Sequence, residues 1–445
     1  MKNSHDMTQG SVFRHIIAYA VPMILGNMLQ LTYNAVDSII IGKYTGETGL
    51  AAVSTSNPIM TIMILGASGI GMGASIIISR LFGGGELKKL KREFSTTLIF
   101  GFFFSLLVFA LGFIFSGNIL RLINTPAKAF PEALIYLRTM FVGFLFTFQY
   151  NIMSNCLRGI GNSTAPVIFL GISCVANVCL DLLFVGVMGL GVFGAGLATV
   201  IAEFISVVLS VMYIYRSADL LRLTRKEFVI DKPLLKETVS FGFLTALQQA
   251  AQPIGKLVIQ GCINAQGVAA IGAFNAVCRV DDFACIPNQS IGSGIMTGTA
   301  QNRGAGNRDR IDKFMWTGFL ISCMYFPLIC GATLLFKTPI VKALTPDGST
   351  EMVAMAVTAL SAKAWVFFFA GVVNVSQGHF RGMGKMQIVL MSTIIQISIR
   401  ALCVYLWVPS MGIVAEAYGT LIGWLAQTVF AYGLYFIYKR KGAIM

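Results

Sequence analysis

The sequence predicts an all-α integral membrane protein whose twelve transmembrane helices form two parallel six-helix lobes, related by a pseudo-two-fold axis along the membrane normal, with a central cleft. Three observations predict it. The composition is 56% hydrophobic and only 12% charged over 445 residues, with a mean hydropathy of +0.76, too apolar for a soluble domain. Apolar runs of spanning length fall in two sets of six, divided by the one substantial polar interruption, RSADLLRLTRKEFVIDKP at 216–233. The two sets also repeat at an offset of about 221 residues. GIGMGASIIISRLFGGGELKKLKR (69–92) echoes SIGSGIMTGTAQNRGAGNRDRIDK (290–313), LRGIGN (157–162) matches FRGMGK (380–385), and GVFGAGLAT (191–199) matches GIVAEAYGT (412–420). An even number of helices per repeat starts both on the same side of the membrane, which makes the repeats parallel. The lobes are read as 1–215 and 234–445, joined by a linker at 216–233.

The first span, 13–41, is apolar but carries Pro22, Asn27, Gln30, Asn34 and Asp37. An ionised Asp near the middle of a membrane helix costs about 2.5 to 3.5 kcal/mol, so Asp37 faces protein or water and asks for a proton or cation beside it. Pro22 removes a backbone donor and lets the helix bend. The second span, 51–79, ends in glycines that permit close helix packing; GIGMG at 69–73 lacks the strand, lysine and serine of a phosphate loop. Spans three and four, 94–117 and 132–156, lead into the Arg-Gly turn at 158. The fifth, 164–187, sets Asn177 and Asp181 one turn apart on one face, and the sixth, 191–215, adds the Thr199 hydroxyl. The second set lies at 236–262, 268–300, 314–336, 351–378, 386–408 and 412–438.

The formal net charge of +14 is explained by topology. With the N-terminus cytoplasmic, the inner loops and ends hold about 23 Lys and Arg, Lys2 and Lys441 among them, against about five outside. That asymmetry places both termini in the cytoplasm and argues for lipid-surface attraction over nucleic-acid binding. The nine cysteines include no CxxC pair and read as small buried hydrophobes. Three scattered histidines, His5, His15 and His379, supply neither metal-ligand spacing nor a catalytic pair, which argues against an enzyme and a resident metal. No filter loop or charge ring marks a channel.

Ionisable groups within the spans are few: Asp37, Asp181, Glu203, Lys256, Arg279, Asp281, Asp282, Lys363, Arg400 and Glu416. At about 1.5 Å per residue, Asn177, Asp181 and Thr199 fall in the same outer half of the membrane as Asp37. Together they offer two carboxylates, an amide and a hydroxyl to Na⁺ or H⁺; the alternative is a structural polar cluster joining helices one, five and six. At the repeat offset the second half places basic groups, near Lys256 and Arg400, where the first places ligands. Cation coupling is therefore expected in the N-terminal half alone. Arg279 and Asp282 are spaced for an intrahelical pair.

Pro22, Asp37 and Gly42 in the first helix, the turn at 158–161 with Asn162 to Pro166, the Asn177/Asp181 pair and GAGLAT resemble the multidrug and toxic compound extrusion family, in the multidrug/oligosaccharidyl-lipid/polysaccharide flippase superfamily. The resemblance covers essentially the whole chain. It implies a multi-pass antiporter of a bacterial or archaeal inner membrane, exporting drug-like, often cationic compounds against Na⁺ or H⁺, acting as a monomer among membrane lipids and using no other cofactor. It further implies a coupling-ion site at Asp37, Asn177, Asp181 and Thr199, with the first helix bending at Pro22. Asn34, Gln252, Lys256, Asp282, Asn374 and Gln377 are candidates to line the cavity. Some relatives carry essential acids in helices seven and ten, where this chain has Lys256 among glutamines, and Asn374 with Gln377. The alternative function is a lipid-linked precursor flippase, which Lys256, Arg279, Lys363 and Arg400 would serve by binding a pyrophosphate headgroup.

Overall fold

Glycine sets the turns, and it does so twice. Gly85 and Gly306 (φ 70° and 73°), and Gly161 and Gly384 (φ 85° and 71°), adopt the left-handed conformation that side chains disfavour. Around each, the same two hydrogen bonds close the preceding helix, as in Asn162 N to Leu157 O and Gly161 N to Arg158 O, or Lys385 N to Phe380 O and Gly384 N to Arg381 O. The sequence repeat is thus also a repeat of helix termini.

The computed structural model describes residues 6–346 and 348–440; Lys2, His5 and Lys441 lie outside them. Its helices are α1 (Val12–Gly83), α2 (Leu87–Leu122), α3 (Phe130–Gly159), α4 (Thr164–Asp181), α5 (Gly191–Ser217), α6 (Lys232–Asn264), α7 (Val268–Gly304), α8 (Arg308–Leu344), α9 (Thr350–Gly382), α10 (Met386–Met411) and α11 (Val414–Arg440). The first two expected spans share α1, which Gly46 (φ 68°, ψ −163°) breaks into two arms. Among the described residues nine helices, α1 counted once, are long and apolar enough to cross a membrane. The two that are not, α6 and α7, are polar for a reason visible along α7. Asn275, Arg279, Asp282 and Gln289 recur at helical spacing and are all exposed, a face that within a bilayer belongs against water or protein. The chain is a multi-pass membrane protein.

Two compact units emerge. Unit 1 contains Pro22–Ala246, and unit 2 gathers Met7–Val21 with Leu247–Met445. In unit 1, α3 packs on α2 and α5, and α4 on α5; in unit 2, α9 packs on α7, α8 and α11, and α10 on α11. Glycines allow the tightest approaches. A Cβ on Gly73 would stand 2.7 Å from the Thr238 carbonyl of α6, and one on Gly378 would stand 2.3 Å from the Gly292 carbonyl of α7.

The start of α6 is fixed in unit 1. Arg80 grips Glu237 through two hydrogen bonds of 2.7 and 2.8 Å, while buried Glu93 accepts from Thr97 (3.0 Å) and Thr238. The start of α1 is fixed in unit 2, where Met7 N donates to Gln301 Oε1 (2.9 Å) and Thr297 Oγ1 to Tyr19 OH (3.0 Å). Arg310 there donates to the carbonyls of Met7, Gln9 and Gly10.

Candidate functional site

Asp181 is the last residue of α4 before the chain widens into a π-helical turn, Leu182–Val187. Such turns shift helical register and re-aim the side chains around them. Asp181 is fully buried and Asn177, one turn earlier, is 1% exposed. With the Asn177 amide turned to satisfy both neighbours, its nitrogen donates to Asp181 Oδ2 at 2.8 Å and its oxygen accepts from Thr199 N at 3.1 Å. The Thr199 hydroxyl donates back to Ala195 O at 3.1 Å, one turn down α5.

Asp37, half-buried on α1, completes the group, its carboxyl within hydrogen-bonding reach of that of Asp181. The four residues proposed from sequence as a coupling-ion site are therefore neighbours in unit 1. Asp37 Oδ1 and Asp181 Oδ1 are buried without a hydrogen-bond partner, and among the described residues the two carboxyls meet each other but no lysine or arginine. Two carboxylates held together away from water repel unless a proton or cation lies between them.

Sequence reasoning overlooked Tyr33, whose hydroxyl shares a hydrogen bond with that of Thr199. The available signal was spacing, because Tyr33 and Asp37 stand four apart on one face of α1. Glu203, one turn beyond Thr199 on α5, has a buried, unpartnered Oε2.

Of the candidate cavity residues, Asn34 is exposed on α1 in unit 1 and the others belong to unit 2. Lys256 and Asp282 pair at 3.7 Å across exposed faces of α6 and α7, so Asp282 pairs with Lys256 rather than Arg279. Gln252 Nε2 donates to Gln396 Oε1 at 3.4 Å, Asn374 donates to Ala370 O within α9, and Gln377 accepts from Arg381. Unit 2 also gathers Asp281, Lys363, Arg400 and Glu416 into one buried cluster, which residue-by-residue reading left as separate charges.

Comparison with known proteins settles the ancestry. The family model MatE matches residues 22–183 and again 245–406, once in each half of the chain. The chain belongs to the MatE family. MatE proteins are transporters, not enzymes. This chain is 28% identical over 312 residues to the probable multidrug resistance protein YpnP of Bacillus subtilis, covering 69% of each protein. It is 27% identical over 394 residues to YoeA of the same organism, also named a probable multidrug resistance protein, covering 87% of this chain and 84% of that one. A solved MOP superfamily transporter from Pyrococcus furiosus has the same fold, with a TM-score of 0.89 over 99% of this chain and 98% of that chain at 20% identity.

Proposed function

We propose that the protein is a cation-coupled multidrug efflux antiporter that exchanges Na⁺ or H⁺ for small, often cationic, drug-like molecules by alternating access. The observation that carries this reading is the meeting of the Asp37 and Asp181 carboxyls, with Asn177 and Thr199 beside them and no internal cation to neutralise them among the described residues. A coupling ion held there in one conformation, and substrate favoured in the other, gives each ligand the differential affinity that exchange requires. The naming of YpnP and YoeA for multidrug resistance supports drug-like substrates over a lipid-linked precursor.

In this reading the protein resides in the inner membrane as a monomer, with both termini and the 216–233 linker cytoplasmic, as the excess of lysine and arginine on one side directs. The six-helix lobes are 1–215 and 234–445, and α1 bends at Pro22. Asn34, Gln252, Lys256, Asp282, Asn374 and Gln377 serve as polar lining.

The test is transport of a fluorescent organic cation in vesicles with Na⁺ and pH gradients imposed separately. Wild type transports under one of the gradients, which names the ion, and Asp37→Asn and Asp181→Asn lose the gradient dependence. Gradient-driven transport at the wild-type rate in both variants overturns the assignment of the site.

A further inference from the structure

The coupling mechanism makes no use of the charged cluster in unit 2. Lys363 on α9 has a side chain 1% exposed, and its Nζ lies 2.7 and 2.8 Å from the two Glu416 oxygens of α11, 2.9 Å from Asp281 Oδ2 of α7, and 3.3 Å from Thr420 Oγ1. Thr420 also donates to Glu416 Oε1 at 2.8 Å, and Arg400 of α10 holds the same oxygen. Four oxygens from three residues thus surround one singly charged nitrogen. An ammonium stripped of water needs such a shell, and so does an alkali cation.

The repeat relates this shell to unit 1. Thr420 is the counterpart of Thr199 at the offset of 221, in GIVAEAYGT and GVFGAGLAT. Each threonine belongs to a group with two carboxyls of its own unit: Asn177 links Thr199 to Asp181 and so to Asp37, while Thr420 donates to Glu416 and shares the Lys363 ammonium with Asp281. The units differ in what lies between the acids: in unit 1 no lysine or arginine pairs with them among the described residues, and in unit 2 the Lys363 ammonium does.

We propose that Asp281, Glu416 and Thr420 form a second monovalent-cation seat, filled by the chain's own Lys363 ammonium, and that Lys363 thereby confines exchange of free cations to unit 1. Arg400 holds Glu416 in place from the other side. Asp281 is the outward member of the seat, its side chain 20% exposed against 3% for Glu416, and its Oδ1 has no hydrogen-bond partner. A free cation would enter from the Asp281 side, the more exposed of the two carboxyls, once the lysine side chain is gone. The space vacated beyond Cβ is that of a lysine stem, which suits a primary alkylammonium ion. The confinement to unit 1 rests on the proposed coupling site, whereas the seat itself does not.

Thermal unfolding in detergent of wild type, Lys363→Ala, Asp37→Asn and the double variant separates the two. Choline chloride is replaced at constant ionic strength by propylammonium, potassium or sodium chloride. Lys363→Ala is expected to unfold about 5 °C or more below wild type. Propylammonium should restore half or more of that loss, saturably, beyond any shift in wild type, and equally in the double variant. An alkali-ion response of wild type that vanishes in Asp37→Asn speaks to unit 1 alone, and its absence would count against the coupling site without touching the seat. Recovery that is absent, unsaturable or matched in choline overturns the seat and leaves an ordinary structural ion pair. If Lys363→Ala does not accumulate, the comparison is read as membrane abundance of the tagged protein in cells grown with and without propylammonium, and absence of rescue there overturns it too.

Discussion

Asn177 donates to one carboxylate and accepts from the backbone of the next helix, so it holds Asp181 in a fixed pose rather than merely adding an oxygen. Replacing it with alanine leaves a buried acceptor on Asp181 unpaired. Asn177→Ala is therefore expected to raise the half-saturating coupling-ion concentration about tenfold, measured as efflux against ion concentration, with substrate affinity in the absence of ion little changed. The acids and amide of this group were legible in the sequence because ionisable residues inside apolar spans are few and Asn177 and Asp181 are one turn apart. Tyr33 was not, since an aromatic among 34 phenylalanines and 13 tyrosines reads as wall. The Lys363 cluster escaped for a different reason. Its charges lie on four helices, α7, α9, α10 and α11, and no spacing within one helix brings them together.

At the level of elements, the turns, the polar 216–233 stretch, most of the spans and the interruption between the first two of them at 41–51 were written in glycine, charge and hydropathy. The polar residues of α6 and α7, by contrast, leave those two helices short of spanning hydropathy. The interruption is shorter than the gap of 42–50 suggested, with the single non-helical residue Gly46 separating the two helices. The linker is pinned more closely than its polarity suggested. Ser95 and Thr96 of α2 accept from the backbone of Val229 and Asp231, and Lys91 pairs with Glu227 at 3.0 Å. The Thr224 backbone N–H, Lys91 and the Thr224 hydroxyl hold the Glu227 carboxyl at about 2, below its ordinary 4.5. A depressed carboxyl contributes its stability above the ordinary value and loses it as pH falls through the folded one. Hydrogen exchange across 224–231 is accordingly expected to speed up between about pH 4.5 and pH 2, relative to the intrinsic rate, and Glu227→Gln should abolish that change. Packing yields a second expectation. Gly378→Ala forces its Cβ to 2.3 Å from a backbone carbonyl and should cost about 1 to 3 kcal/mol, while Gly331→Ala, with nothing within 4 Å, should leave the unfolding midpoint nearly unchanged.

For the whole molecule, the division into units does not follow the division into repeats. The chain passes from unit 2 to unit 1 between Val21 and Pro22, and back between Ala246 and Leu247. Pro22 thus stands where α1 changes unit, with no backbone N–H to bond the turn below it. Restoring that donor in Pro22→Ala should stiffen the crossing. Efflux from vesicles is expected to slow severalfold while thermal stability holds or rises, and an unaltered rate would remove Pro22 from the mechanism. The sequence repeat announced two halves, but it could not announce the exchange of segments between them, because Gly73 and Gly294 are read as packing glycines without saying which helix they receive.

That exchange constrains how the protein is made. Residues 7–21 are synthesised well before their partners Thr297, Gln301 and Arg310, which follow about three hundred residues later. The opening of α1 must wait in the bilayer, its buried tyrosine and methionine unmatched, while the intervening helices insert. Unit 1 is complete in sequence only once Ala246 has been made, and residues 7–21 find their unit only as Leu247 onward follows. A nascent chain halted at the linker would hold unit 1 without the start of α6, and residues 7–21 without the unit they belong to.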